Sequence, residues 1–398
     1  PSLPVISLSR YHELLALRDI RDTIAVSTLG RLPIGVTGLA ILLTVQAYRD
    51  SFAAGGAASG AYVFGLAAVA PLLGRAIDRF GPWIPLCVCA LCFPAALLGI
   101  VAAVLYEAPP WLLYVASAVS GAFFPPITVC MRTYLRRRLV DERLLMAAYS
   151  LESVLIELIF IAGPLLVALF VAAASPVVAV LFSAVCGAAG TVLFLRTPAL
   201  RDWKIEPAGP RFLLGPLQHA PFVILIAVVL VYSMAFGLME IGVTAYATQV
   251  DQPALAGVLL GIMSIGSAAG GLAYGSRGWH FPLVRQLAAS LALMGVGLGL
   301  LALPWSLPFF ALACALAGIV MAPALIIQSM LVAKMAPQEY ATEAFTWSTS
   351  ALLTGVGLGL AAGGALLEFE RAHAALAAAG LAATGAALGA RALLKVER

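Results

Sequence analysis

Residues 74–83 read GRAIDRFGPW, a polar decapeptide lodged between two long apolar runs at 56–74 and 83–105. Arg75, Asp78 and Arg79 are ionised at neutral pH, and Gly81-Pro82 is turn chemistry that cannot extend a helix. An apolar helix of about 20 residues crosses a hydrocarbon layer roughly 30 Å thick. The decapeptide therefore reads as a tight loop joining two membrane-crossing helices.

The same alternation continues in both directions. Apolar runs fall at 23–48, 56–74, 83–105, 110–131, 144–172 and 176–195, and again at 221–247, 255–275, 284–303, 308–332, 342–367 and 372–392. The chain is 62% hydrophobic and only 11% charged, against about 25% charged in a soluble domain. Such a composition excludes a water-soluble fold. The net charge of +4 is spread over short loops and forms no stripe, so nucleic acid is not an expected partner. The six cysteines all lie inside apolar runs, where thiols pack as small hydrophobes. The expected fold is an all-α membrane protein of twelve spans.

Basic residues give that fold a direction. Of the 23 Lys and Arg, all but Arg31, Arg49 and Arg371 fall at the N-terminus, at 75–82, 132–143, 196–219, 276–285 and 333–341, or at the C-terminus. Segments enriched in this way face the cytoplasm. Both termini are thus expected to be cytoplasmic in a multi-pass protein of the cell's inner membrane. Ahead of the first span, Leu8, Tyr11 and Leu15 share one helical face, which fits either a helix lying on the membrane surface or a solvated lead-in.

The chain also repeats itself. An offset of 197 positions superposes Gly74, Gly81, Gly121 and Pro126 on Gly271, Gly278, Gly318 and Pro323, so that GAFFPP at 121–126 answers GIVMAP at 318–323. Duplicated six-span units are a common plan of transport proteins. The expected organisation is a bundle over 1–195, a cytoplasmic linker over 196–219 and a second bundle over 220–398.

With loop and duplication in place, Gly74, Asp78, Arg79 and Gly81 resemble motif A of the major facilitator superfamily, and GLAYGSRG at 271–278 is its degenerate echo. Pro82 and Trp83 stand where that family usually carries two basic residues, and span 4 has Ser117 and Ser120 ahead of Gly121 in place of an arginine. The resemblance implies two pseudo-symmetric six-helix bundles around a central cavity lined by spans 1, 4, 7 and 10. It implies a conformational latch in which Asp78 meets the start of span 11 at Thr342 and Glu343, while Arg79 finds an acid near Asp141 or Glu142. Gly163-Pro164 in span 5 resembles the core of the family's antiporter motif and marks a helix bend or an antiport signature.

Ionisable groups inside a span are costly, at ~2.5 kcal/mol or more each, and usually face a cavity or a partner. Arg31 in span 1 and Glu152 in span 5 lie at similar depth. Spans 1 and 5 are neighbours in the family, which predicts an ion pair. Glu157, about 140° further round the helix, is a candidate proton site, as is Glu240 in span 7. Gln46, Thr128, Tyr232, Gln328 and Trp347 are further cavity candidates, with ordinary helix contacts as the alternative.

The glycine strings at 295–300 and 355–364 lack a Gly-Lys-Ser/Thr element, and no metal-binding or hydrolase motif occurs. No cofactor or metal is therefore expected. The function expected is secondary active transport of a small amphiphilic or cationic organic solute by alternating access, proton-coupled and outward in direction. Proton-coupled uptake is the nearer alternative and an integral membrane enzyme the more distant one. The expected partners are the solute, protons and the lipid bilayer, and the expected working unit is a monomer.

Overall fold

A computed structural model of the chain describes residues 9–201, 203, 215–252, 255–304, 306–369 and 372–396. Leu8, Arg371 and half of the linker lie outside the described residues. Among those described, the secondary structure is helical, without strands. Twelve helices are long and apolar enough to cross a membrane. In chain order they are Arg18–Arg49, Ala54–Phe80, Trp83–Leu105, Pro110–Arg138, Glu142–Ala173, Pro176–Leu195, Ala220–Gln249, Leu255–Gly275, Leu283–Leu300, Leu307–Met335, Gln338–Leu367 and Ala372–Leu393, hereafter spans 1 to 12.

Three of these spans are interrupted. Span 1 divides into Arg18–Arg31 and Pro33–Arg49, where Pro33 cannot donate a helical hydrogen bond. Span 4 divides into Pro110–Ala122 and Ile127–Arg138 because Pro125 and Pro126 remove two consecutive donors. Span 10 divides into Leu307–Gly318 and Met321–Met335. GAFFPP and GIVMAP are thus corresponding helix breaks. Pro164, by contrast, sits inside an unbroken helix, Glu142–Ala173. The work at that place falls to Gly163, which lies against the backbone of Gly35 and brings spans 1 and 5 into direct contact.

Glycines also set the remaining close approaches. A Cβ on Gly121 would collide with the Tyr62 carbonyl and one on Gly65 with the Ala118 carbonyl, so spans 2 and 4 touch backbone to backbone. Gly318 against Met263, with Gly270 against Ile319, repeats the contact between spans 8 and 10. Span 7 packs on spans 11 and 12, span 3 on span 6, and the two halves meet where span 2 faces span 11 and span 5 faces span 8.

The apolar core is unevenly shared. One cluster, including Val36, Ile41, Phe93, Leu97 and Ile100, belongs to the first half alone. A larger one joins Ile77, Met131, Leu135 and Tyr149 of the first half to Ile327, Leu331 and Phe345 of the second. That shared core lies at the end of the molecule carrying the loop after Phe80, here called the basic end. Toward the opposite end, a Cβ on Gly56, Gly60, Gly257, Gly261 or Gly357 would meet nothing within 4 Å.

The N-terminal helix Ser9–Ala16 docks on spans 1 and 5 and is not a solvated lead-in. Its face is Tyr11 and Leu14, both buried, while Leu15 is exposed. Tyr11 donates to the Leu272 carbonyl at 3.0 Å and shares a 2.8 Å hydrogen bond with Ser150 Oγ. Burial pushes the Tyr11 phenol above its ordinary range, so it keeps the proton that it donates.

Candidate functional site

At the basic end, span 2 caps span 11. The first amides of a helix have no intrahelical acceptor and carry the positive end of its dipole. Asp78, buried at the last turn of span 2, accepts from Thr342 N at 3.1 Å and Glu343 N at 2.8 Å. Gly81 then leaves the helix at φ 80°, a conformation that glycine adopts without strain. A Cβ on Gly74 would strike Thr346 and the Glu343 backbone, so the approach of the two helices needs that glycine too.

The arginine beside this cap differs from the expected one. Asp141 caps its own helix by accepting from Arg143 N at 2.8 Å, and Arg79 lays its guanidinium 5.1 Å from the centre of the Phe80 ring. Arg75 takes the acid instead, with Nη2 2.6 Å from Glu343 Oε1 and Nε 3.2 Å from Oε2. Helical geometry explains the exchange. Arg75 lies almost one turn before Asp78 and shares its face, whereas Arg79 is turned about 100° away. Glu343 is 1% exposed, and Trp347 Nε1 also points to it at 3.4 Å.

Arg31 and Glu152 meet between spans 1 and 5, Nη2 to Oε2 at 2.8 Å, with exposures of 1% and 0%. They form an ion pair without hydrogen-bond alignment. Arg31 Nε and Nη1 and both Glu152 oxygens lack a hydrogen-bond partner. Glu157 turns away from this pair and crosses to the other half, where Ser267 Oγ donates to it at 2.8 Å. Ser267 accepts in turn from Ala322 N at 3.1 Å, beside the break in span 10. Glu240 is exposed and aligns with exposed Thr244 and Thr248 at successive helical turns. Carboxylates at membrane depth usually face the bundle interior, a cavity or a partner.

The cavity candidates divide. Tyr232 and Gln328 are buried and spend their polar groups locally, Tyr232 donating to Gln328 Oε1 and Gln328 Nε2 donating to Ser348 Oγ at 2.5 Å. Gln46 is half-buried at the far end of span 1, and Trp347 is half-buried beside Glu343. Thr128 begins the second helix of span 4, partly exposed, its hydroxyl without a partner.

Sequence reading missed Arg75 and Arg132. Arg132 was counted among the loop cations, yet it lies within the helix Ile127–Arg138, about 9 Å from its end at 1.5 Å per residue. The available signal was spacing, since Thr128, Arg132 and Arg136 recur every four residues and so share one face. Arg136 Nη2 donates to the carbonyl of Ala336, the residue that ends span 10, at 2.6 Å. With Asp78, Arg75 and Tyr11, it ties the two halves together at the basic end.

Comparisons with known proteins agree with this geometry. Residues 25–276 match the Major Facilitator Superfamily. No curated protein sequence matches the chain. Among solved structures, the fold is similar to a bacterial homologue of the iron transporter ferroportin in its outward-facing state, with TM-score 0.79, 15% identity, and coverage of 95% of this chain and 100% of that one. It is also similar to the E. coli fucose:proton symporter FucP (TM-score 0.73, 13% identity, 94% and 99% covered). The human organic anion transporter MFSD10 (TETRAN) is a third such structure (TM-score 0.70, 15% identity, 94% and 99% covered). Matched over most of its length and folded as two six-span halves around corresponding helix breaks, this chain belongs to the major facilitator superfamily.

Proposed function

We propose that the chain is a proton-coupled secondary transporter that exports a small organic solute across the cytoplasmic membrane. In this reading, bundles 1–195 and 220–398 rock about the solute site, joined by a cytoplasmic linker at 196–219. Both termini are cytoplasmic, the chain works as a monomer, and the described conformation, tied together at the basic end, is outward-facing.

The hydrogen bond from Ser267 to Glu157 carries the coupling. It is a contact between halves, so parting them removes the donor and changes the surroundings of the carboxyl. A proton affinity that differs between two states is what allows a proton gradient to bias one over the other. Replacement of Glu157 by Gln is expected to abolish solute movement driven by a pH gradient while equal-concentration exchange continues. Proteoliposomes loaded with a solute identified by thermal stabilisation measure both. Unchanged gradient-driven flux in that variant would make Glu157 a structural residue.

Export is supported by the likeness of Gly163-Pro164 to the antiporter motif and by its seat against Gly35. The fold similarity to a fucose:proton symporter favours uptake as the second reading. Opposed pH gradients in oriented vesicles separate the two, because export accumulates solute on the proton-rich side and symport depletes it there.

A further inference from the structure

Span 4 carries, at Arg132, a positive charge within the membrane-crossing part of the chain that has no ion pair among the described residues. Its second helix begins after Pro125 and Pro126; the Ile127 amide is taken by the Pro125 carbonyl at 2.8 Å and the Cys130 amide by that of Pro126 at 3.0 Å, which leaves the Thr128 and Val129 amides at the break. On one face of that helix, Thr128 and Arg132 are partly exposed, and Arg136 below them is held by Ala336 of the other half. The two halves are tied together around Arg136 at the basic end. Among the described residues no hydrogen bond engages the Arg132 guanidinium, and its Nε is buried without a partner, as are Thr128 Oγ1 and Arg31 Nε and Nη1.

Among the described residues, the charged groups that act most strongly on Arg132 are Glu152 and Arg31, with the phenols of Tyr149 and, from the second half, Tyr232 beside them. Glu152 is the single acid among them and already lies 2.8 Å from Arg31. Two guanidiniums and one carboxylate leave a surplus of one positive charge in a poorly solvated place. The sign is opposite to the one that isolated Glu157 and Glu240 suggest.

We infer that Arg132, with Thr128 and the Thr128 and Val129 amides at the start of the helix Ile127–Arg138, binds an anionic group of the transported solute, a carboxylate or a phosphate. Arg31 pairs with Glu152 at 2.8 Å and so takes up part of the one carboxylate that competes for Arg132. The assignment rests on the transport reading and specifies its substrate class. Guanidinium and helix N-terminus are complementary to a planar or tetrahedral oxyanion. A bound anion neutralises the surplus charge at the meeting of spans 1, 4, 5 and 7, where the two halves face each other.

The purified full chain in detergent, titrated with sodium benzoate, glutarate or phosphate against sodium chloride at equal ionic strength, is the test, with unfolding temperature as the readout. Tetraphenylphosphonium serves as the cationic probe. At least one anion is expected to stabilise saturably, with apparent affinity weakened about tenfold or more in Arg132→Gln and largely kept in Arg132→Lys.

Glu152→Gln removes the competing carboxylate and is expected to tighten anion binding, a direction that damage to the fold does not produce. It also decides the matter if Arg132→Gln does not fold. Saturable stabilisation by tetraphenylphosphonium alone, equal affinity in Arg132→Gln, or weaker binding in Glu152→Gln would each overturn the assignment. So would a response to added phosphatidylglycerol with none to the soluble anions. The titration needs no turnover, so anion binding without flux would remove the transport reading and leave the site. Flux of a cationic solute without anion binding would do the reverse.

Discussion

Gly121→Leu is expected to abolish folding of the first half, seen as loss of monodisperse protein on detergent size exclusion and of a cooperative unfolding transition. A Cβ there meets the Tyr62 carbonyl oxygen and the Leu66 amide, both backbone atoms inside helices that cannot swing aside as a side-chain tip can. Overpacking ordinarily costs about 1–3 kcal/mol. Here relief requires prising span 4 off span 2, so the cost lies at or beyond the top of that range. Gly99→Leu is the control, because a Cβ at Gly99 meets nothing within 4 Å. If Gly121→Leu unfolds no more easily than Gly99→Leu, the backbone-to-backbone contact of spans 2 and 4 is wrong.

Arg75→Ala is expected to shift the protein from the shape closed at the basic end toward one opened there. Glu343 has 1% of its side chain exposed and Arg75 33%. Losing the arginine leaves a buried carboxylate without its charge partner, a change that costs 3–5 kcal/mol for a fully buried pair. Exposure of Arg75 to solvent screens part of this, leaving about 2 kcal/mol and a population shift of roughly thirtyfold. Asp78→Asn acts on the same joint through the Thr342 and Glu343 amides, where loss of a cap costs about 1 kcal/mol. A cysteine in place of Thr346, buried in the closed joint and labelled from the basic side, reports the opening in both backgrounds. Labelling that stays as slow as in the unsubstituted protein would show that neither group holds the halves together.

Twelve spans and two copies of one unit were legible in the sequence because the relevant physics is local. Hydrocarbon thickness sets run length, and duplicated Gly and Pro mark where helices touch or break. The contact of Asp78 with Thr342 and Glu343 came by resemblance to a family motif, since nothing near Asp78 in the chain reveals a partner far away in sequence. Arg75 was overlooked because polarity alone does not separate it from Arg79, although only one of them shares the face of Asp78. Arg132 was missed through the opposite error. A cation near the end of a span was counted with the loops that orient the protein, while the break at Pro125 and Pro126 extends the helix below it. Tyr232 and Gln328 looked like cavity residues by position, but neighbouring side chains satisfy both, and single-sequence reasoning cannot see such neighbours.

The unequal distribution of apolar contact between the two ends has a thermal consequence. Parting the halves at the basic end wets Ile77, Met131, Leu331 and Phe345, whereas closing the opposite end brings together faces rich in Gly56, Gly60, Gly257 and Gly261, which offer little hydrocarbon in return. The interconversion should therefore carry a positive heat-capacity change, and the penalty for wetting that seam should shrink on cooling. Chilling would then favour the shape that is rarer in warmth, so the resting orientation of this protein is partly set by the temperature at which it is kept.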